Sequence, residues 1–209
     1  MTGSLFVVSG PSGTGKTTIL RRVLDSRRDL GFSVSYTTRA KRPGEEEGKD
    51  YFFVSEEQFE ASIRNGEFIE WARVHDNLYG TSREYVDSRL DAGIDVVLDI
   101  DVQGALNVQK ERPKAVYVFI APPSYDELKN RLETRGTENA EQLRTRLRNA
   151  RWELSKIYLF QYVVVNCSLD RSVEQLDAII TSEQLRVEKM KDILHRAGLD
   201  FSEVRHNDN

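Results

Sequence analysis

Residues 10–17 read GPSGTGKT, and this octapeptide constrains the fold of the chain more than any other segment. A short apolar run at 4–9 precedes it and a helix-like segment at 16–27 follows it. A glycine-rich turn between a buried strand and a helix points backbone N–H groups and the positive helix end at one place. The octapeptide therefore predicts a phosphate-binding loop, in which Lys16 neutralises the β- and γ-phosphates of a nucleotide and Thr17 offers a hydroxyl to Mg²⁺.

The loop indicates the phosphoryl donor but leaves the acceptor open. We expect the phosphates of ATP to lie against the following residues: Gly10, Pro11, Ser12, Gly13, Thr14, Gly15, Lys16, Thr17 and Thr18. Two classes of protein use such a loop. A kinase of a small molecule needs a second anion site, whereas a nucleotide-driven switch or motor needs switch loops and a group that positions water.

Four short apolar runs rich in β-branched and aromatic residues predict buried strands, at 4–9, 94–100, 115–121 and 160–166. Longer helix-like segments separate them, and this alternation predicts an α/β fold with a parallel central sheet flanked by helices. We expect a single domain made of three parts: a core at about 1–32, 93–124 and 159–197, an inserted lobe at about 33–92, and a helical lid at about 125–158. Residues 169–197 predict one long amphipathic helix or a pair of helices.

The overall charge argues against a general nucleic-acid binder. The 209 residues include 30 Lys plus Arg and 34 Asp plus Glu, which gives a net charge of -4 rather than a basic excess. The single cysteine, Cys167, excludes an intrachain disulfide and fits a reducing compartment. The first ten residues lack a signal-peptide pattern and no run of 18 residues is apolar throughout. We therefore expect a cytoplasmic protein without membrane or nucleic-acid partners, whose oligomeric state the sequence leaves open.

A basic segment, TTRAKRPG at 37–44, offers a second anion site. Its cations repel one another unless an anion or solvent separates them, and a charge run by itself is most often a solvated loop. Two tyrosines in the neighbouring segments, Tyr51 and Tyr79, could add hydroxyl donors to the guanidinium forks of Arg39 and Arg42. The acidic residues 45–47 that follow predict a solvated loop.

Two carboxylates end the apolar run VVLDID at 96–101. Alternate residues of a strand share a face, so Asp99 and Asp101 are expected on one side, at the carboxyl end of a buried strand where ligands of α/β proteins bind. Beside a phosphate-binding loop, such a carboxylate would hold Mg²⁺, through water. Alternatively, Asp101 caps the helix that follows.

Six segments together resemble the guanylate kinase family: GPSGTGKT (10–17), SVSYTTRAKRPGEEEGKDYFFV (33–54), EFIEWARVHDNLYGTS (67–82), VVLDIDVQG (96–104), FIAPPS (119–124) and RLETRGTE (131–138). The resemblance covers about residues 5–186. It implies a P-loop kinase fold with a GMP-binding lobe and a helical lid. The implied activity is Mg²⁺-dependent transfer of the γ-phosphoryl group of ATP to GMP, and to dGMP, giving ADP and GDP.

The same resemblance assigns the acceptor site. The residues implied to bind GMP are Ser35, Arg39, Arg42, Tyr51, Glu70, Tyr79, Thr81 and Asp101. Glu70 would accept hydrogen bonds from the N1–H and the exocyclic amine of guanine, whereas adenine presents an acceptor at N1 and would leave this carboxylate unpaired. From the residues alone, Glu70 would be an exposed charge beside Trp71.

The lid segment supplies two further cations. Arg146 borders the apolar stripe of residues 143, 147, 150 and 154, where an unpaired charge is costly, and Arg135 precedes a glycine that could act as a hinge. Arg146 could equally reach solvent or form a structural ion pair. The resemblance implies Lys16, Arg39, Arg135 and Arg146 as catalytic residues, and Thr17 and Asp99 as the Mg²⁺ site.

One departure from the family pattern lies after Asn166, the expected adenine contact. The family usually has two acidic residues there, and this chain has Cys167 and Ser168. Two alternatives to a guanylate kinase stay open: a scaffold domain of similar sequence, which lacks an intact phosphate loop and binds protein partners, and a kinase of a different nucleoside monophosphate.

Overall fold

The computed structural model describes residues 2–74, 76–134 and 140–199. In chain order its strands are β1 (Leu5–Ser9), β2 (Leu30–Ser33), β3 (Tyr36–Thr37), β4 (Phe52–Phe53), β5 (Phe68–Val74), β6 (Asn77–Ser82), β7 (Asp95–Asp99), β8 (Val116–Ala121) and β9 (Tyr162–Val165). Its helices are α1 (Lys16–Ser26), α2 (Glu56–Arg64), α3 (Arg83–Asp91), α4 (Val102–Glu111), α5 (Tyr125–Thr134), α6 (Ala140–Leu154), α7 (Leu169–Gln184) and α8 (Val187–Arg196).

Five parallel strands form the central sheet, in the order β2-β7-β1-β8-β9. Every residue of β1 and of β8 is buried, as expected for strands covered on both faces. On one face, Phe6 and Val8 pack against α1 and α7, and on the other, Leu98 packs with residues of α3 and α4. The predicted α/β fold with a parallel central sheet is confirmed.

A second sheet, in the order β4-β3-β6-β5, builds a lobe with its own small core of Phe59, Phe68 and Leu78. Helix α2 starts at a capping box, because Ser55 and Gln58 each accept a hydrogen bond from the backbone N–H of the other. Helix α3 lies within the range predicted for the lobe, 33–92. Its buried residue Val86, however, packs in the core beside the central sheet.

Helices α5 and α6 pack on each other through an apolar cluster centred on Leu128, Leu132 and Ala150. The stripe predicted for α6 faces this cluster, whereas Arg144, Arg148 and Arg151 are exposed, as the spacing predicted. The segment 169–197 forms the pair of helices α7 and α8, separated at Leu185 and Arg186. Across the described ranges, no helix is long and apolar enough to span a bilayer.

Candidate active site

The loop at residues 10–17 takes a conformation that only glycine adopts easily. Gly10, Gly13 and Gly15 have φ angles of 145°, 88° and 88°. A Cβ on Gly15 would also lie 2.5 Å from Nδ2 of Asn166. Because α1 begins at Lys16, the loop and the positive end of the helix meet at the same place.

This loop forms one end of a cavity of about 350 Å³. Among the residues that line it are Gly10–Thr18, Ser35, Tyr51, Glu70, Tyr79, Asp99, Asp101, Arg146 and Glu153. The cavity is therefore lined by side chains from the central sheet, the lobe and helix α6. Most of the residues predicted for the two nucleotides come together here.

Asp99 connects the phosphate-binding loop to the central sheet. It ends β7 opposite Val8, and its carboxylate lies 3.1 Å from Nζ of Lys16. Thr17 donates a hydrogen bond of 3.2 Å from its hydroxyl to the other carboxylate oxygen. Burial acts to lower the pKa of Lys16, but the charge and hydrogen bond of Asp99, together with the charges of Glu153 and Asp101, outweigh burial and raise the pKa. Lys16 is therefore held fully charged beside the loop.

Asp101 lies at the start of a helix rather than in a strand. Strand β7 ends at Asp99, so the prediction that Asp101 belongs to the strand is wrong, although both aspartates line the same cavity. Instead, Asp101 is the N-cap of α4 and accepts a 2.7 Å hydrogen bond from the backbone N–H of Gly104. It also lines the cavity, and burial raises the pKa of its carboxyl group.

Glu70 is buried, with only 6% of its surface exposed. The prediction from the residues alone, that Glu70 is an exposed charge, is therefore wrong. Pairing of β5 with β6 sets Glu70 opposite Thr81, whose hydroxyl donates a 2.7 Å hydrogen bond to Oε1. The other oxygen, Oε2, lies so close to Gly104 that a Cβ there would come within 2.8 Å. Burial, with a smaller contribution from Asp101, raises the pKa of Glu70 to about 7 despite the hydrogen bond.

The basic segment at 37–44 is braced by an acidic residue. Nη2 of Arg39 lies 2.7 Å from Oε1 of Glu45, and the backbone N–H of Arg42 donates to the other oxygen of Glu45. The solvated loop predicted for residues 45–47 is therefore wrong for Glu45. The Arg39 guanidinium also lies 5.2 Å from the ring centre of Tyr51, which packs edge-on against Tyr79. The Arg42 side chain is exposed.

Helix α6, in the segment predicted to form a lid, contributes Arg146 and Glu153 to the cavity wall. Glu153 was not predicted from the sequence, although it lies seven residues after Arg146 and therefore on the same helix face. Burial and the charge of Asp101 raise the pKa of Glu153 to about 7, and Lys16 opposes this shift. Arg135 lies outside the described residues.

The side chain of Asn166 is hydrogen-bonded to the backbone of the phosphate-binding loop. Its Nδ2 donates a 2.7 Å hydrogen bond to the backbone oxygen of Thr14, and its Oδ1 accepts one from the hydroxyl of Ser172. The amide is therefore engaged on both sides by the protein. Its contact with adenine stays a prediction.

Thr17 and Asp99 place a hydroxyl and a carboxylate beside the loop. Both groups offer oxygen atoms as metal ligands, the ligand type that Mg²⁺ prefers. Within residues 2–74, 76–134 and 140–199, no group of three His, Cys, Asp or Glu side chains could enclose a metal ion. Two protein groups with water and phosphate in the remaining positions suit Mg²⁺, which keeps several of its waters.

Comparison with known proteins agrees with this site. Residues 2–183 match the model of a family described as guanylate kinase. A guanylate kinase of Thermotoga maritima is 51% identical over 94% of this chain and 95% of its own, and one from Caldanaerobacter subterraneus is 48% identical over 91% and 93%. The crystal structure of guanylate kinase from Anaplasma phagocytophilum superposes with a TM-score of 0.77, at 33% identity, over 95% of this chain and 96% of that one. The predicted resemblance is thereby confirmed, and the chain belongs to the guanylate kinase family.

Proposed function

We propose that this protein transfers the γ-phosphoryl group of ATP to GMP with Mg²⁺, giving ADP and GDP. One observation carries the proposal: a single cavity has the phosphate-binding loop at one end and the buried carboxylate of Glu70 in its wall. Two anionic substrates can meet there only if protein cations cancel their repulsion. The relatives bear the name guanylate kinase, which agrees with this assignment.

The donor half is built for a polyphosphate. Backbone N–H groups of the loop and the start of α1 would surround the β- and γ-phosphates, and Lys16 would lie against them. Thr17 and Asp99 would hold Mg²⁺, directly or through water. Once bound, Mg²⁺ supplies a positive charge that stabilises the transferring phosphoryl group.

The acceptor half is built for guanine and one phosphate. The Glu70 carboxylate would accept from the two donors on the guanine edge, and Thr81 fixes its orientation. We assign the hydroxyl of Ser35 and the carboxylate of Asp101 to the nucleoside. The resemblance to the family also implies dGMP as an acceptor, and we include it in the proposal.

The GMP phosphate would lie against Arg39, Arg42, Tyr51 and Tyr79. Arg39 is already oriented by Glu45 and by the ring of Tyr51, which limits the entropy lost when it binds phosphate. A guanidinium group can bind a phosphate bidentately, through two parallel N–H···O hydrogen bonds, and each tyrosine hydroxyl donates one further hydrogen bond.

Helices α5 and α6 would form the lid over the transferring group. Arg146 faces the cavity, and we assign it, with Arg135, to the phosphoryl group between the two nucleotides. Closure would bring the reacting atoms together and exclude water, which otherwise hydrolyses ATP. The chemistry then needs charge neutralisation and positioning, without a covalent enzyme intermediate. The single cysteine favours the cytoplasm as the compartment.

An acceptor panel tests the proposal. ADP release from MgATP is measured with GMP, AMP, CMP, UMP or dTMP, for the wild type and for Glu70→Ala. We expect turnover chiefly with GMP, and a large loss of the GMP preference in the variant. A preference for AMP would contradict the role of Glu70, and absence of turnover with all five acceptors would favour a protein-binding scaffold.

A further inference from the structure

Glu153 points a carboxylate from the lid helix into the cavity. It shares one face of α6 with Arg146, Asn149 and Ala150, all of which line the cavity. In the part of the chain that the structure describes, its carboxylate forms no hydrogen bond or ion pair. The apolar contacts of Leu147 and Ala150 already join α6 to α5, so the helix packing does not depend on this charge.

Among the described residues, two charged groups act on Glu153. Lys16 of the phosphate-binding loop and Asp101 at the start of α4 both act on it electrostatically. Glu70 and Asp99 add two further carboxylates to the same cavity wall, against Lys16 and Arg146 as the described cations. With Lys16 paired to Asp99, the other described charged side chains that line this cavity are the carboxyl groups of Glu70, Asp101 and Glu153 and the guanidinium of Arg146.

A triphosphate bound at the loop would therefore meet Glu153 as a like charge. The repulsion depends on the net charge of the ligand, and bound Mg²⁺ cancels about half of the negative charge of ATP. A fixed carboxylate at this place therefore opposes metal-free ATP more strongly than magnesium-complexed ATP. The water molecules that Mg²⁺ retains could also donate hydrogen bonds to a carboxylate in this region.

We propose that Glu153 is a specificity-determining residue that makes the donor site select magnesium-complexed ATP and reject metal-free ATP. This inference rests on the proposed function, because it assumes that the loop binds ATP. Helix α6 thus carries two opposite charges on one face, the Arg146 guanidinium and, seven residues later, the Glu153 carboxylate. Arg146 attracts the phosphoryl group, and Glu153 favours the nucleotide whose negative charge the metal has lowered.

Isothermal titration calorimetry tests the proposal without turnover. ATP is titrated into the full chain at pH 8, either with excess Mg²⁺ or with a chelator, and the ratio of the two dissociation constants gives the preference for the metal complex. Glu153→Gln should lower this ratio about tenfold, mainly through tighter binding of metal-free ATP. Glu153→Asp keeps the charge and should retain most of the preference. Glu174→Gln removes an exposed carboxylate on α7 and should leave the ratio unchanged.

Two further measurements decide the outcome. Binding of GMP to Glu153→Gln should equal that of the wild type, which shows that the variant is folded, and Glu153→Ala should shift the ratio in the same direction. An unchanged ratio in both neutral variants would overturn the inference, as would an equal loss in Glu174→Gln. If the wild type binds neither form of ATP, the proposed function fails too, whereas an enzyme that phosphorylates GMP but shows no effect at Glu153 refutes this inference alone.

Discussion

Lys16 and Asp99 form an ion pair of 3.1 Å that joins the phosphate-binding loop to the end of β7. The same aspartate accepts a hydrogen bond from Thr17, so the loop cation and the two proposed Mg²⁺ ligands form one connected group. Removing any member would leave the others misplaced or unpaired, and we therefore expect ATP binding and Mg²⁺ binding to be coupled.

Lys16→Ala should reduce kcat by at least about 10²–10³-fold, because it removes the cation beside the transferring phosphoryl group. The affinity for GMP should stay close to that of the wild type, since the residues assigned to GMP lie in the lobe and at the start of α4. Steady-state kinetics and calorimetry with GMP measure the two quantities. A variant that retains kcat within tenfold of the wild type would contradict the role of Lys16.

Glu70→Gln should make the protein more stable at pH 8 than the wild type. The pKa of Glu70 is about 7 in the folded protein and 4.5 ordinarily, so the folded state binds more protons between these values. Stability therefore falls as pH rises from about 4.5 to about 7, by about 3 kcal/mol for this group. Urea unfolding of both proteins at pH 5 and pH 8 measures the difference. An advantage of the variant that is the same at both pH values would contradict the raised pKa.

Gly104→Ala should impair guanine binding while leaving the protein folded. The added Cβ would lie 2.8 Å from Oε2 of Glu70 and 3.1 Å from Oδ1 of Asp101, so both carboxylates must move. We expect the KM for GMP to rise roughly 10–10²-fold, because recognition depends on the position of Glu70. The dissociation constant of MgATP should stay unchanged. Wild-type kinetics with GMP would show that this close contact is unimportant.

Asn166→Ala should weaken ATP binding about tenfold, because the Thr14 oxygen loses its hydrogen bond and the loop loses a support. Ser172→Ala, which removes only the hydroxyl that donates to Asn166, should have a smaller effect in the same direction. Calorimetry with MgATP compares the three proteins. Equal ATP affinity in all of them would mean that the loop holds its shape without Asn166.

The loop, the parallel sheet and the stripe of α6 could be predicted because each depends on residues close together in the chain. The glycines of the loop and the apolar runs of β1 and β8 determine their local structure directly. The same holds for the exposed faces of the lid helix. These parts follow from backbone sterics and hydrophobic periodicity.

The charges in the cavity could not be predicted in this way. The burial of Glu70 depends on the pairing of β5 with β6 and on the approach of Gly104, and neither leaves a pattern near residue 70. The sequence predicts Glu45 to be solvated, because its ion pair with Arg39 forms only in the folded chain. Glu153 shares a helix face with Arg146, but the electrostatic effect of Lys16 and Asp101 on it depends on the position of the whole helix α6.

Transfer of a labelled phosphoryl group tests the central claim most directly. The protein is incubated with Mg²⁺, GMP and ATP that carries a radioactive γ-phosphoryl group, and the products are separated. If two nucleotides meet in this cavity, the label appears in GDP as its β-phosphate. Recovery of the label as inorganic phosphate, or in unchanged ATP with GMP left intact, would contradict the proposed reaction.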